Sequence, residues 1–184
     1  MRIFILKSNT ACLENVNIKS PASSGRFDVV LDFILECLYT SSEARRDTKI
    51  YIVLAGCRPV KTILVDGVEI PYFENERELL EYMLKNSKSG IHVLDIDFEK
   101  LLDMLISEGY RLYCLYEYGV DIDSVDIECR DIAFIIGDQD GFTQEDLQVM
   151  KSRNIEFISI GPIPYLSWFC CTFIQYYLDS ICRS

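Results

Sequence analysis

The chain has 184 residues, of which 49% are apolar, enough for one domain with a substantial core and too many for a disordered or fibrous protein. A formal charge of −11 at pH 7 argues against a broadly basic nucleic-acid binder. The charge is uneven, however: residues 1–62 carry a net +3 and residues 63–184 a net −14, so the net positive charge that favours a phosphate lies in the first third.

In chain order, the first apolar run, residues 3–6, predicts a strand. Gly25-Arg26-Phe27-Asp28 then opens a helix over residues 27–38 that is apolar nearly all round, which suits burial, and Arg26 falls where a helix N-terminus attracts anions. Arg45 and Arg46 follow in a loop and, with Lys49, Arg58 and Lys61, make a candidate phosphate-binding surface. Residues 49–54 read as a second strand. Residues 62–70 alternate about Asp66-Gly67, which predicts a small antiparallel hairpin insertion near residues 60–71. Residues 76–85, 98–108 and 143–153 each show one apolar stripe, as amphipathic helices do. Between the first two, residues 86–90 read as a mobile loop and His92 as an ordinary strand residue. Three further strands, at 111–115, 132–136 and 155–160, show no alternation, as expected for parallel strands covered on both faces. The acidic stretch 121–131 reads as a solvated loop. Strands alternating with helices predict an α/β fold, in one domain spanning residues 1–184.

Eight cysteines contain no CxxC pair and only one histidine accompanies them, so no metal site is expected. Met1–Lys7 has four apolar residues before a lysine, short of the apolar stretch of a secretory signal. The expected compartment is therefore the reducing cytoplasm, with the cysteines as thiols packed like small hydrophobes. Residues 157–178 carry no charge, yet Gly161, Pro162 and Pro164 interrupt them and Glu156 and Asp179 flank them. That pattern predicts a buried strand turning into a buried helix rather than a membrane span.

Two turns are candidate ligand sites. Gly137-Asp138-Gln139-Asp140-Gly141 follows a strand and precedes Thr143, a helix N-cap, and open α/β sheets bind ligands at the carboxyl ends of their strands. It lacks the dinucleotide fingerprint, its Asp138 and Asp140 do not fit a calcium loop, and on pattern alone a plain turn explains it as well. Gly161-Pro162-Ile163-Pro164 follows the last strand and exposes backbone amides and carbonyls that a purine can use, although a simple strand-to-helix turn has the same pattern. Cys170-Cys171 on the following helix reads as packing.

Together these stretches resemble the archaeal tRNA pseudouridine-54 N1-methyltransferase family, a branch of the SPOUT class of S-adenosylmethionine-dependent RNA methyltransferases. The resemblance rests on Gly25-Arg26-Phe27-Asp28, Arg45-Arg46-Asp47, Ser89-Gly90-Ile91 and Phe134-Ile135-Ile136-Gly137-Asp138, and on the run from Ile158 through Cys170 to Asp179, in the right order over nearly the whole chain. It implies a mostly parallel sheet with helices on both faces and a deep trefoil knot, roughly residues 110–184. It also implies S-adenosylmethionine held by Leu115, Gly137, Ile160, Gly161, Pro162, Ile163, Pro164, Tyr165 and Cys170, and a homodimer formed through the knot helices. The implied reaction is methyl transfer to N1 of pseudouridine in the tRNA T-loop. Arg26 would stabilise the developing anion or grip its phosphate, Asp28 would orient Arg26 or take a proton, and Arg45 and Arg46 would hold the tRNA backbone, with no metal or membrane involved. The same resemblance admits a related enzyme acting on ribosomal RNA, and a non-catalytic dimer that binds S-adenosylmethionine or RNA. One stretch departs from the family: Leu166-Ser167-Trp168-Phe169 stands where its members read roughly His-Ala-Asn-His.

Overall fold

In the computed structural model, which describes residues 1–14, 16–85 and 88–182, seven strands and five helices alternate. The strands are β1 (Arg2–Ser8), β2 (Thr48–Leu54), β3 (Lys61–Asp66), β4 (Ile91–Leu94), β5 (Arg111–Asp121), β6 (Ile132–Gly137) and β7 (Glu156–Ser159). The helices are α1 (Phe27–Leu38), α2 (Glu76–Met83), α3 (Phe98–Ser107), α4 (Gln144–Ser152) and α5 (Ser167–Ile181). All seven strands form one sheet in the order β4-β3-β2-β1-β6-β5-β7. The run from β2 to β7 is parallel, while β3 is antiparallel to both β2 and β4.

Helices cover both faces, which is why the central strands show no alternation. On β1, Phe4 and Leu6 join Phe27, Leu31 and Ile34 of α1, Leu79 and Leu80 of α2 and Ile174 and Leu178 of α5 in one core. Ile3 and Ile5 point the other way, into a second core with Leu101 and Leu105 of α3 and Leu147 and Met150 of α4. Side-chain caps start three helices: Asn75 accepts from the Glu78 amide, Asp97 from the Lys100 amide, and Thr143 forms a capping box with Asp146.

The last helix ties the two ends of the fold together. β7 is the sheet's outer strand, yet α5 returns across the sheet to pack on α1 beside the middle strands. There the buried Gln175 amide donates to the Cys37 carbonyl at 2.9 Å and to Thr48 Oγ1 at 3.0 Å, and its oxygen accepts from Arg2 Nη1 at 2.9 Å. Burial pushes the Asp179 carboxyl up, but hydrogen bonds from Arg45 and Arg2 outweigh it and hold the group below its ordinary value.

Three expectations are corrected. The segment around Asp66-Gly67 is antiparallel, but its partners are β2 and β4 rather than residues 67–70 across a hairpin, because the residues after the turn lead on towards α2. Four of the cysteines are not thiols: Cys12 joins Cys57 and Cys129 joins Cys182 in disulfides, whereas Cys37, Cys114, Cys170 and Cys171 are buried and free as expected. The acidic stretch 121–131 is not wholly solvated, since Ile122 and Ile127 are buried beneath it. Of the expected mobile loop 86–90, residues 86 and 87 lie outside the described residues. No described helix is long and apolar enough to cross a membrane.

Replacing Gln175 with leucine would leave the Cys37 carbonyl, the Thr48 hydroxyl and the Arg2 guanidinium each short of a buried partner. Urea denaturation should show Gln175→Leu losing about 2–3 kcal/mol of stability, the cost of stranding buried polar groups.

Candidate active site

Because β5, β6 and β7 run parallel, their carboxyl ends open on one side of the sheet, and a cleft of about 750 Å³ lies there. That volume falls within the range of small-molecule sites. Its apolar lining comes from Leu115, Ile136, Ile160, Trp168 and Cys170, and Arg26 and Asp32 of the α1 region close it on the β1 side.

Local irregularities shape each wall. On β5, Leu115 and Val120 both stand opposite Ile158 of β7, so residues 116–119 leave the ladder and present Tyr116 and Glu117 to the cleft. Only glycine fits at 119, where a Cβ would lie 2.6 Å from the Ile158 backbone. After β6 the chain closes tightly, with the Gly141 amide donating to the Asp138 carbonyl at 3.0 Å. After β7 the Ser159 hydroxyl donates to the Gly161 carbonyl at 2.7 Å and accepts from the Gly161 amide at 3.2 Å, which fixes the turn into α5. Ser167, buried at the start of α5, donates to the Gly137 carbonyl at 2.7 Å and so locks together the two turns that line the cleft.

Arg26 reaches the cleft through unusual backbone. Gly25 and Arg26 both have positive φ, Arg26 at 60°, a left-handed conformation that strains a side-chain-bearing residue by about 1–3 kcal/mol and clusters at functional sites. Its guanidinium is gripped by Asp28, with Nε at 3.0 Å and Nη2 at 2.9 Å, and this pairing raises the Arg26 pKa. About half of the side chain remains exposed, free to meet an anion. Asp32, Glu117, Asp138 and Asp140 also line the cleft, so it is net negative around one arginine and suits a ligand that carries positive charge.

Most residues singled out from the sequence meet here: Leu115, Gly137, Ile160, Gly161, Pro164, Tyr165, Cys170 and Arg26 all line the cleft, and Asp28 orients Arg26. Pro162 and Ile163 face outward from their turn. Arg45 and Arg46 precede β2 and lie at the amino ends of the parallel strands, away from the cleft; Arg45 pairs with Asp179 at 2.7 Å, and Arg46 donates to the Gly67 and Val68 carbonyls. Burial pushes the Cys170 thiol up to about 11, so it stays protonated near neutrality and packs rather than attacks. The sequence reading passed over Asp32, Tyr116, Glu117 and the role of Ser167. Asp32 sits one helical turn after Asp28, a spacing that places both on one face of α1 and was the available signal.

Outside the cleft proper, Glu76 in the first turn of α2 is pushed up to about 7 by burial, by its hydrogen bond with Asp32 and by the Asp32 charge. A carboxyl whose folded pKa is raised contributes its stabilisation below the ordinary value of 4.5 and loses it as pH climbs through about 7. Thermal unfolding of Glu76→Gln should therefore match the wild type below pH 4.5 and exceed it above pH 7, because the amide keeps a donor for Asp32 at every pH.

A mostly parallel sheet covered on both faces, with a net negative and partly apolar cleft at the carboxyl ends of its strands, defines an α/β domain whose cleft lies where such sheets bind ligands. The family model described as "Putative SAM-dependent RNA methyltransferase" matches residues 1–182, and the chain belongs to this family. The chain is 30% identical to the tRNA (pseudouridine(54)-N(1))-methyltransferase of Pyrococcus abyssi, covering 98% of both chains. It is 32% identical to the protein of the same name in Methanopyrus kandleri, covering 97% of this chain and 93% of that one. Among solved structures, it shares its fold with Archaeoglobus fulgidus Nep1 bound to S-adenosylhomocysteine (TM-score 0.62, 16% identity, 97% of both chains). The fold is also that of the Neisseria gonorrhoeae ribosomal RNA small subunit methyltransferase E bound to S-adenosyl methionine (TM-score 0.56, 13% identity, 98% of this chain and 66% of that one).

Proposed function

We propose that the chain methylates N1 of pseudouridine 54 in the T-loop of tRNA, with S-adenosylmethionine as methyl donor. The observation that carries this reading is the cleft itself. Its size, its apolar wall and its carboxylates suit an adenosyl group joined to a sulfonium and an ammonium, and a strained, exposed arginine stands at its mouth. Full-length similarity to tRNA pseudouridine-54 N1-methyltransferases supports the choice of substrate.

Leu115, Ile160 and Cys170 would pack the adenosyl group, and the backbone of Gly137 and of the turn after β7 would lie along its polar edge. When bound, the donor supplies an electrophilic methyl group. Arg26 would hold the negative charge that develops on the uracil ring as N1 gives up its proton to Asp28 or to water, and Asp28 keeps the guanidinium aimed.

Within a single domain, we assign the C-terminal third to a trefoil knot. The return of α5 from the outer strand across the sheet to α1, fastened at Gly137 by Ser167, supports that path. We assign the dimer interface to α5 and the turn before it, where Tyr165, Phe169, Phe173 and Tyr177 make a row of ring contacts, the last two half-buried against the core, and Tyr176 and Ile181 stand exposed. Arg45 sits beside the last turn of that helix and, with Arg46, is assigned to tRNA backbone held at the partner's cleft. A tRNA substrate supports a cytoplasmic site of action.

Transfer of labelled methyl from S-adenosylmethionine to tRNA bearing T-loop pseudouridine tests the reading. Wild-type protein should label that tRNA, and Arg26→Ala should lower the rate by about 10²-fold while donor affinity changes less than about threefold, because the lost interaction is made in the transition state. Label entering ribosomal RNA instead, or donor binding without transfer to any RNA, would overturn it.

A further inference from the structure

The loop directly after β1 touches both halves of the site, although only neighbouring segments form the cleft. Asn9 faces the turn after β6. Its backbone amide donates to Asp138 Oδ2 at 2.6 Å, and its side-chain Nδ2 donates to Asp138 Oδ1 at 3.0 Å and to the Gly141 carbonyl at 2.8 Å. Its Oδ1 accepts from Lys7 Nζ at 3.0 Å, and that buried ammonium lies 3.3 Å from Asp146 of the α4 capping box. Lysine on one side and carboxylate on the other define which way the amide points, and both of its ends are used. An aspartate of the same shape would set a carboxylate against Asp138.

Thr10 faces the other half. Its hydroxyl donates to the Gly25 carbonyl at 2.8 Å, and its own carbonyl is wedged between two glycines: a Cβ added at Gly25 would fall 2.0 Å from that oxygen, and one at Gly56 would fall 2.2 Å from it. The left-handed pair Gly25-Arg26 is therefore seated on Thr10. Two residues further on, Cys12 ties the loop to Cys57 beyond β2.

We infer that Asn9 and Thr10 are positioning residues that divide the site between them, Asn9 holding the Gly137–Gly141 turn for the methyl donor and Thr10 holding Arg26 for the RNA base. The inference rests on reading the cleft as the donor site. It predicts a split between binding and turnover that general loss of stability does not produce. Asn9→Ala and Asn9→Asp should weaken S-adenosylmethionine binding by about tenfold or more in calorimetric titration, with kcat at saturating donor within about threefold of wild type. Thr10→Val should leave donor affinity unchanged and lower kcat by about tenfold, while Thr10→Ser, which keeps the hydroxyl, restores it. Unchanged constants in the Asn9 and Thr10 variants, or equal losses of binding and turnover in both, would overturn the division of labour alone. A wild-type chain that binds no donor would overturn the reading of the cleft and this inference with it.

Discussion

Interior parallel strands that are covered on both faces can present unpaired backbone groups only at their ends, and this constraint governs the rest of the molecule. Strands β2, β1, β6, β5 and β7 all point the same way between two helical layers, so five carboxyl ends gather on one side. The amides and carbonyls there have no ladder to join and must be satisfied by turns, by side chains or by a ligand. The turn after β6 uses Asp138 and Gly141, the turn after β7 uses Ser159, and the cleft lies between them.

Charge and strain are placed where this arrangement needs them. The acidic character of the C-terminal portion, which on average argues against an RNA partner, contributes Glu117, Asp138 and Asp140 to a cleft suited to a cationic donor. Arg26 supplies the opposing charge from a left-handed position that costs stability, and the bidentate grip of Asp28 keeps it from relaxing. At the far end of the sheet, Arg2, Arg45, Gln175 and Asp179 fasten α5 to the strands, leaving the cleft end free of that structural duty.

How far the sequence could be read follows from which interactions are local. The helix Phe27–Leu38 and the parallel strands were legible because burial on every side writes unbroken apolar runs. Gly137 and the turn after β7 were legible as strand ends because glycine and proline interrupt the apolar runs there, and both line the cleft. The antiparallel partners of β3 were not legible, since residues 67–70 mimic a hairpin strand while the pairing is with β4, some 25 residues on. The disulfides Cys12–Cys57 and Cys129–Cys182 join cysteines 45 and 53 positions apart, which no spacing rule anticipates. Asn9 and Ser167 were missed for the same reason: their partners, Asp138 and Gly137, are 129 and 30 residues away.

Crystallisation of the wild-type protein with S-adenosylhomocysteine tests the account most directly. The account predicts the adenosyl group in the cleft between the Gly137–Gly141 turn and the turn after β7, in contact with Leu115 and Cys170 and within reach of Arg26. Ligand bound elsewhere on the chain, or no ligand bound at saturating concentration, would contradict it.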